Sequence, residues 1–348
     1  MAAPGNVPSH ARDLELISRP HVVILGAGAS RAAFPRGDRN GRALPLMSDF
    51  LDIVPVRKVL LDAGVDVDPH GNFEAIYGNL SRDKANAALL QSVEQIVYEY
   101  FNELEITDQP TIYDHLLLSL RKKDVIATFN WDPLLLKAAC RNPILKDRMP
   151  TIHFLHGNVS FAYCYADGRR GMKGMPCSRC GEPFGHSRLL YPVLEKDYSD
   201  PSTVDSWSSL QNALRSACFI TIFGYSAPVA DQKARRLLLE GWGDPRQREL
   251  EQIEIIDVGD EAVIKNNWEP FIHPDHYEIH RDFFESWIAR HPRRTAEAWW
   301  GQYLDGTFLQ EGPLPQAGSV ARIWGEVQPL IKAEEHAVLV AEQGVDLL

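Results

Sequence analysis

Three polar residues stand directly after apolar runs of the sequence and carry groups suited to acid–base chemistry. Asn130 and Asp132 follow residues 125–129, and His156 follows residues 151–155. A neutral amide beside a carboxylate can hold the hydroxyl or carboxamide groups of a ligand without a metal ion. An imidazole can act as a general base near neutral pH. We therefore expect Asn130, Asp132 and His156 to be the catalytic residues.

Each of these residues also has a structural interpretation. Asp132 precedes Pro133, so it can cap a helix that begins at the proline, and Asn130 would then belong to a simple helix start. His153 lies on the same predicted strand as His156 and is the competing histidine. We favour His156 because ligands bind at the carboxyl ends of strands in an open parallel sheet.

A glycine-rich turn follows the first apolar run, residues 21–25. There, Gly26 and Gly28 would let backbone N–H groups and a helix N-terminus approach a pyrophosphate without obstruction by side chains. Arg31 stands where the dinucleotide fingerprint of dehydrogenases has its third glycine, which weakens the interpretation of the chain as a dehydrogenase. An ordinary tight turn is the structural alternative.

The cysteines suggest a metal site. Cys177 and Cys180 have the spacing of a zinc half-site, Cys164 can supply a third ligand, and His186 can complete the set. The alternative is a degenerate zinc knuckle whose thiols are free in a reducing compartment. A structural zinc is expected here rather than a catalytic one, because three ligands from one loop would have to reach the sheet.

Five short apolar runs, rich in β-branched residues, indicate buried strands. Stretches with helical spacing separate them, which predicts a parallel sheet built from alternating strands and helices. Each run ends in a polar or glycine-containing cluster, so we expect these clusters to converge on one site at the carboxyl ends of the strands. The runs are residues 21–25, 125–129, 151–155, 219–223 and 253–258.

The spacing of the strands predicts one α/β, Rossmann-like domain over residues 21–280, after a flexible tail over residues 1–20. The interval between the first two strands exceeds one crossover helix, so residues 51–118 should form a helical insertion. Residues 159–200 lack clear periodicity and should form a small Cys-containing module with many loops. Residues 281–348 should form a helical C-terminal segment.

Composition narrows the class of protein. The 348-residue chain has 45% hydrophobic and 24% charged residues, which is typical of a folded globular protein. Its formal net charge of −11 argues against direct nucleic-acid binding as the main activity. The N-terminus has no apolar segment typical of a signal peptide, and no apolar run is long enough to span a membrane. We therefore expect a cytoplasmic protein.

Taken in order, the clusters GAGAS, TFNWD, LHG, FGYS and IIDVGD resemble the motifs of the sirtuin family over roughly residues 21–260. The resemblance implies that NAD binds along these motifs and that Asn130 holds the nicotinamide ribose, Asp132 contacts the carboxamide and His156 is the base. It further implies cofactor contacts from the glycine turn and, for the adenosine half, from three later residues. These contacts are Gly26, Ala27, Gly28 and Ser30 in the turn, and Gly224, Ser226 and Asp257.

Departures from the family pattern bear on the reaction. Phe129 replaces the glutamine that usually precedes the catalytic asparagine, and residues 34–38 differ from the cofactor loop of the family. Residues 190–195 stand where the family has the Phe-Gly-Glu segment that pairs with an acyl-lysine peptide. The chain is therefore more similar to divergent bacterial sirtuin-like proteins that hydrolyse NAD during phage defence, often as oligomers or with a partner ATPase or Argonaute.

The expected activity is that of an NAD glycohydrolase, which consumes NAD as a substrate and releases nicotinamide and ADP-ribose. Uncontrolled hydrolysis would be toxic, so we expect activity to be gated by assembly into a homo-oligomer or by a partner. An NAD-dependent protein deacylase and a non-catalytic sensor of NAD or ADP-ribose are the alternatives.

Overall fold

The structure is a computed structural model that describes residues 18–68, 71–193, 196–228, 231–248, 250–273 and 276–343. Most of the tail predicted at residues 1–20 lies outside these ranges, as do residues 344–348. None of the helices in the described ranges combines the length and apolar character needed to cross a membrane.

The strands belong to two sheets, one large and parallel and one small and antiparallel. In chain order the strands are β1 (His21–Leu25), β2 (Val125–Thr128), β3 (Thr151–Phe154), β4 (Phe161–Cys164), β5 (Arg169–Met172), β6 (Gly185–His186), β7 (Phe219–Phe223), β8 (Gln252–Ile256) and β9 (Tyr277–His280).

The helices fill the intervals between the strands and most of the chain after β9. They are α1 (Ala27–Ala33), α2 (Phe50–Ile53), α3 (Arg57–Asp62), α4 (Phe73–Leu80), α5 (Ala87–Asn102), α6 (Ile112–Ser119), α7 (Leu134–Arg141), α8 (Pro201–Ser216), α9 (Gln232–Trp242), α10 (Glu261–Trp268), α11 (Trp287–Arg290), α12 (Thr295–Leu304) and α13 (Val320–Gln343).

The large sheet has six strands in the order β3-β2-β1-β7-β8-β9, and every pair is parallel. This is the strand order of a Rossmann fold, in which the direction of winding reverses between β1 and its neighbour β7. The predicted α/β fold class, with a helical insertion, a Cys-containing module and C-terminal helices, is confirmed. The edge strand β9 was not predicted, because its sequence Tyr-Glu-Ile-His is half polar and only partly buried.

Alternate side chains of β1 enter two separate cores. Val23 and Leu25 pack with the helical insertion and the C-terminal helices, whereas Val22 and Ile24 pack with α8, α9 and α10. Successive residues of a strand point to opposite faces, and both faces of this sheet are covered. This explains why the strands read as continuous apolar runs in the sequence.

The helices of the insertion lie between Phe50 and Ser119, and the last of them, α6, has a defined N-terminal cap. Thr111 and Asp114 form a capping box at α6, in which each side chain satisfies a backbone N–H of the other residue. Buried residues of α5, among them Val93 and Val97, join the same core as β1. The insertion is therefore packed onto one face of the sheet rather than held by local contacts alone.

The C-terminal segment is tied to the sheet by a buried carboxylate. Glu254 of β8 accepts hydrogen bonds from the Thr221 hydroxyl at 2.6 Å and from the backbone N–H of Trp287 at 2.8 Å. The helical segment predicted after β9 begins with a short 3₁₀ turn over Phe283–Glu285, after which Ser286 caps α11.

The Cys-containing module is built on the small sheet, whose strand order is β5-β4-β6. It lies between β3 and α8 in the sequence. The sequence predicted mostly loops in this module. Its strands are only two to four residues long, which is too short for a periodic pattern to be detected.

The turns after β1 and β7 touch through their backbones at the point where the winding reverses. The Gly28 N–H donates to Gly224 O at 3.0 Å, and the Gly26 N–H donates to Phe223 O at 3.0 Å. Gly224 has a φ of +61°, and a Cβ atom there would lie 2.2 Å from the backbone nitrogen of Ala29. Both turns therefore need glycine for close approach, and Gly224 needs it for its conformation as well.

We expect Gly224→Ala to destabilise the fold by roughly 3 kcal/mol or more, because it combines a left-handed backbone with a backbone clash. Gly243→Ala is the matched control, since Gly243 has a φ of +84° and no atom within 4 Å of its added Cβ. That variant should lose only the conformational part, about 1–2 kcal/mol. Urea unfolding of both variants measures the difference, and equal losses would contradict the proposed clash.

Candidate functional site

The amide of Asn130 joins the end of β2 to the glycine turn after β1. Its Nδ2 donates to Gly26 O at 2.8 Å and to Ser30 Oγ at 2.9 Å. The backbone N–H of Asn130 donates to Thr128 Oγ1 at 3.0 Å, which holds the residue at the carboxyl end of the strand. Asn130 and Ser30 are both buried. The structure thus brings these two predicted residues into direct contact.

Asp132 belongs to the same polar cluster and also starts a helix. Its Oδ2 accepts from the Ser30 hydroxyl at 2.6 Å, and its Oδ1 accepts from the Leu134 N–H at 3.0 Å at the start of α7. Tyr113 Oη lies 2.6 Å from Ser30 Oγ. Burial raises the pKa of Asp132, and the hydrogen bond from Ser30 opposes that rise. Asp132 therefore caps α7 and belongs to the polar cluster at the same time.

One atom of the Asn130 amide faces no donor. Within the described ranges of the chain, no N–H or O–H group lies within hydrogen-bonding distance of Asn130 Oδ1, although its Nδ2 is bonded on two sides. A fixed amide with an open carbonyl oxygen is suited to accept a hydroxyl group of a ligand. Asn130 can therefore bind a ligand without losing the contacts that orient it.

His156 lies directly beyond β3 in aromatic surroundings. Its ring meets that of Phe129 edge-on at 4.7 Å between centroids, and its Nε2 lies 2.9 Å from Tyr198 Oη. Burial lowers the pKa of His156 to about 4, with nearby Asp231 opposing the shift and Lys196 adding to it. The imidazole is therefore neutral at physiological pH, which is the form required of a general base.

A buried ion pair stands beside the His156 region. Lys196 pairs with Asp231, and Asp231 also accepts from the Tyr225 hydroxyl at 3.2 Å. Both charged side chains are buried, so each neutralises the other where water is scarce. Both charges act on His156, with Asp231 raising its pKa and Lys196 lowering it.

The alternative histidine, His153, occupies a different setting. It is part of β3, and its Nδ1 lies 2.8 Å from an Arg170 guanidinium nitrogen in the Cys-containing module. Burial and Arg170 lower the pKa of His153 to about 4 as well. Because its partner belongs to the small sheet, His153 links β3 to the module, whereas His156 lies at the strand end.

Backbone N–H groups of the glycine turn are already hydrogen-bonded within the protein, so fewer of them are free to bind a phosphate group. The Gly28 N–H donates to Gly224 O and the Ala29 N–H donates to Gly26 O, both at 3.0 Å. Ala27 and Gly28 are partly exposed, while Gly26 and Ser30 are buried. In this conformation the turn offers a ligand the surface of Ala27 and Gly28.

The residues expected to contact an adenosine group lie at the ends of β7 and β8. Gly224 packs against the glycine turn, and the side chain of Ser226 is exposed. Asp257 is partly exposed, and its Oδ1 accepts from the Gly259 N–H at 2.8 Å. The structure thus brings Gly224 into the cluster around Gly28 and leaves Ser226 and Asp257 open at the sheet edge.

The cysteines lie together with an acidic residue that was not predicted. Ligand atoms of Cys164, Cys177, Cys180 and Asp167 all lie within 4.8 Å of one another, so the group could hold a metal ion. The Cys164 and Cys180 sulfurs are 3.6 Å apart. Among described side chains the fourth member is Asp167 in place of the expected His186, whose side chain lies outside the described part of the chain.

Several contacting residues were missed from the sequence. Tyr113 and Tyr198 carry no motif, and each reaches the site from a distant part of the chain. Asn158 was detectable in the His-Gly-Asn cluster; its Nδ2 donates to Asp132 O at 2.5 Å. Asp167 follows Cys164 by three positions without forming a recognised ligand pattern.

Comparisons with known proteins give structural neighbours only. No family model matches the chain, and no curated protein matches it. Among solved structures, a mutant Sir2 homologue in complex with ADP-ribose has 15% identity and a TM-score of 0.42, over 83% of this chain and 97% of that chain. A Sir2 complex with a deacetylated p53 peptide and 3′-O-acetyl ADP-ribose has 14% identity and a TM-score of 0.38, over 84% and 98%. Similarity at this level assigns no residue role to the chain.

Proposed function

We propose that this protein is an NAD glycohydrolase that cleaves NAD to nicotinamide and ADP-ribose. The proposal depends on one juxtaposition: the open Oδ1 of Asn130 and the neutral imidazole of His156 lie at neighbouring strand ends, beside the glycine turn. The sirtuin-like motifs support this substrate class, and the strand order supports a ligand crevice at the carboxyl ends of these strands.

In the proposed reaction, the bond between C1′ of the ribose and the nicotinamide nitrogen breaks, and a water oxygen bonds to C1′. The bonding pair neutralises the cationic nicotinamide ring, so this leaving group needs no proton. Asn130 Oδ1 would accept a ribose hydroxyl, and Asp132 would contact the carboxamide. Orientation of the ribose lowers the barrier to an oxocarbenium-like transition state.

His156 would take the proton that the attacking water releases. If its Nε2–H donates to the Tyr198 oxygen, the lone pair is on Nδ1, for which no described residue supplies a partner. Asp231 would then stabilise the imidazolium that forms, since its charge favours protonation of His156. Tyr198 would act as a positioning residue that selects this tautomer.

Incubation of the purified chain with NAD should release nicotinamide and ADP-ribose, measured by liquid chromatography. His156→Gln and Asn130→Ala should each lower the rate by about a hundredfold to ten-thousandfold. His153→Gln is the matched control, because it removes a buried histidine from the same strand region and should leave a folded variant with near-parent activity.

Three outcomes would contradict the proposal. Nicotinamide release that requires an acetylated peptide would identify a deacylase. Tight NAD binding without turnover in the parent chain would identify a sensor. Equal activity of His156→Gln and the parent chain would remove His156 from the mechanism.

We also propose that activity is gated by homo-oligomer assembly or by a defence partner, such as an ATPase or Argonaute-type protein. The support is burial: Asn130, Asp132 and His156 are 8%, 4% and 6% exposed, so little of each side chain is accessible to a substrate in this conformation. The same assay, run on fractions separated by size, tests this point, since full activity in an isolated monomer would contradict gating.

The pH dependence of the reaction gives a separate prediction. With a pKa of about 4, His156 stays neutral in mildly acidic solution. The value of kcat/KM should therefore stay constant as the pH is lowered past 6.5, and it should fall only as the pH approaches 4. Lys196→Met removes a positive charge that lowers this pKa, so the acid limb should move to higher pH. Measured pH profiles that leave the limb in place would contradict the role of His156 as the base.

We further propose that Cys164, Cys177, Cys180 and Asp167 hold a structural zinc ion. Thiolates at about 2.3 Å from a tetrahedral zinc lie about 3.8 Å from each other. The 3.6 Å between the Cys164 and Cys180 sulfurs matches that spacing. The ion would fasten the loop that carries Cys177 and Cys180 to the end of β4.

The purified chain should contain about one equivalent of zinc, measured by elemental analysis. Asp167→Ala should lose most of the metal, since it removes one of four ligands, and its unfolding temperature should fall. His186→Ala is the matched comparison and should keep the metal. The reverse pattern would identify His186 as the fourth ligand, and parent protein without zinc would exclude the site.

A further inference from the structure

A cavity lies beside the helical insertion, and one of its lining residues, Leu190, donates its backbone N–H to His156 O at 2.9 Å. It has a volume of about 420 Å³ and is bounded by α4, by α5 and by residues 187–193 and 196–197. Its lining contains none of Asn130, Asp132 and His156. A volume of this size is within the range of sites that bind small organic molecules.

An acidic side chain on the α5 wall lacks a cationic partner. Glu94 is partly buried; one carboxylate oxygen accepts from the Tyr77 hydroxyl, and its backbone oxygen accepts from Tyr191 Oη at 3.1 Å. No lysine, arginine or histidine in the described ranges forms an ion pair with Glu94. A partly buried carboxylate favours a nearby positive charge, which a ligand can supply.

Three tyrosine rings line the cavity beside this carboxylate. Tyr77 and Tyr191 stack at 5.0 Å between centroids with 16° between their planes. The third, Tyr98, already has the Lys173 ammonium 5.0 Å from its centroid, on a side chain that lies outside the lining. The Lys173 contact shows that the Tyr98 ring accepts an ammonium group, whereas Tyr77 and Tyr191 each cover one face of the other.

The positive groups of the cavity are neutralised by carboxylates of the chain. Arg188 pairs with Asp197 at 3.1 Å, and Lys196 pairs with the buried Asp231. Neither cation is left for a phosphate group, so the pyrophosphate of NAD has no matching charge here. The cavity therefore differs in chemistry from a dinucleotide site.

We infer that this cavity binds a small organic cation of the ammonium type. The Glu94 carboxylate supplies the counter-charge, and the rings of Tyr77, Tyr98 and Tyr191 supply the aromatic surface. The single unpaired carboxylate favours a monocation over a ligand that carries phosphate. This proposal goes beyond the proposed NAD hydrolysis, although the cavity shares Lys196 with the ion pair beside His156.

Choline and 3,3-dimethylbutan-1-ol form a matched pair of probes, since they share shape and differ in charge. Isothermal titration of the full chain, without NAD, should give choline at least a roughly tenfold lower Kd than the alcohol. Glu94→Gln keeps the side-chain shape and should weaken choline binding by roughly tenfold. Glu99→Gln, five residues further along α5 and outside the lining, should leave it unchanged.

Equal affinity for the two probes, or no heat of binding from choline, would overturn the assignment, as would choline binding that survives Glu94→Gln. Adenosine serves as a third probe, and tighter binding of adenosine than of choline would replace the cation with an uncharged aromatic ligand. The titration is repeated on Asn130→Ala, where choline binding should persist. Loss of NAD hydrolysis and loss of choline binding are thus separate results.

Discussion

The contact between the turns after β1 and β7 governs the geometry of the site. Gly28 donates to the Gly224 carbonyl, and a side chain on Gly224 would run into the backbone at Ala29. Because the first turn of α1 is held against β7 in this way, Ser30 has little freedom of position. The hydroxyl of Ser30 in turn aligns Asn130 and Asp132. The polar cluster is therefore a consequence of backbone packing where the winding of the sheet reverses.

Burial has opposite effects on the two acid–base groups nearest this point. It raises the pKa of Asp132, which accepts from Ser30 and caps α7, and it lowers the pKa of His156. In a site of low polarity both shifts disfavour charge. In the proposed NAD hydrolysis, the cationic nicotinamide ring would therefore be the main charge near these two groups, and His156 would be neutral when that charge disappears.

Regions outside the sheet determine access to the site and its surroundings. The helical insertion and the C-terminal helices share one core with β1, so they cover the same face of the sheet. Leu190 lines the cavity beside the insertion and donates its N–H to His156 O, and Lys196 lies in the same lining while pairing with Asp231. The insertion thus supplies a wall to the cavity as well as stability to the domain.

The sequence by itself determined the strands of the large sheet that are buried on both faces, because such strands must be continuously apolar. It also placed Asn130, Asp132 and His156 after strands, since chain order alone fixes which residue follows a strand. The short edge strand β9 and the strands of the Cys-containing module escaped detection, because partly exposed strands need no apolar run.

Only the tertiary structure decided which distant side chains meet. Tyr113 approaches Ser30 across 83 positions of sequence, and Tyr198 approaches His156 across 42. The same holds for Asp167, which joined the cysteines, and for the unpaired charge of Glu94 in its cavity. Hydrogen bonds and ion pairs act over a few ångströms, so the packing of the chain decides which residues become partners. Such pairs produce no periodic pattern in the sequence.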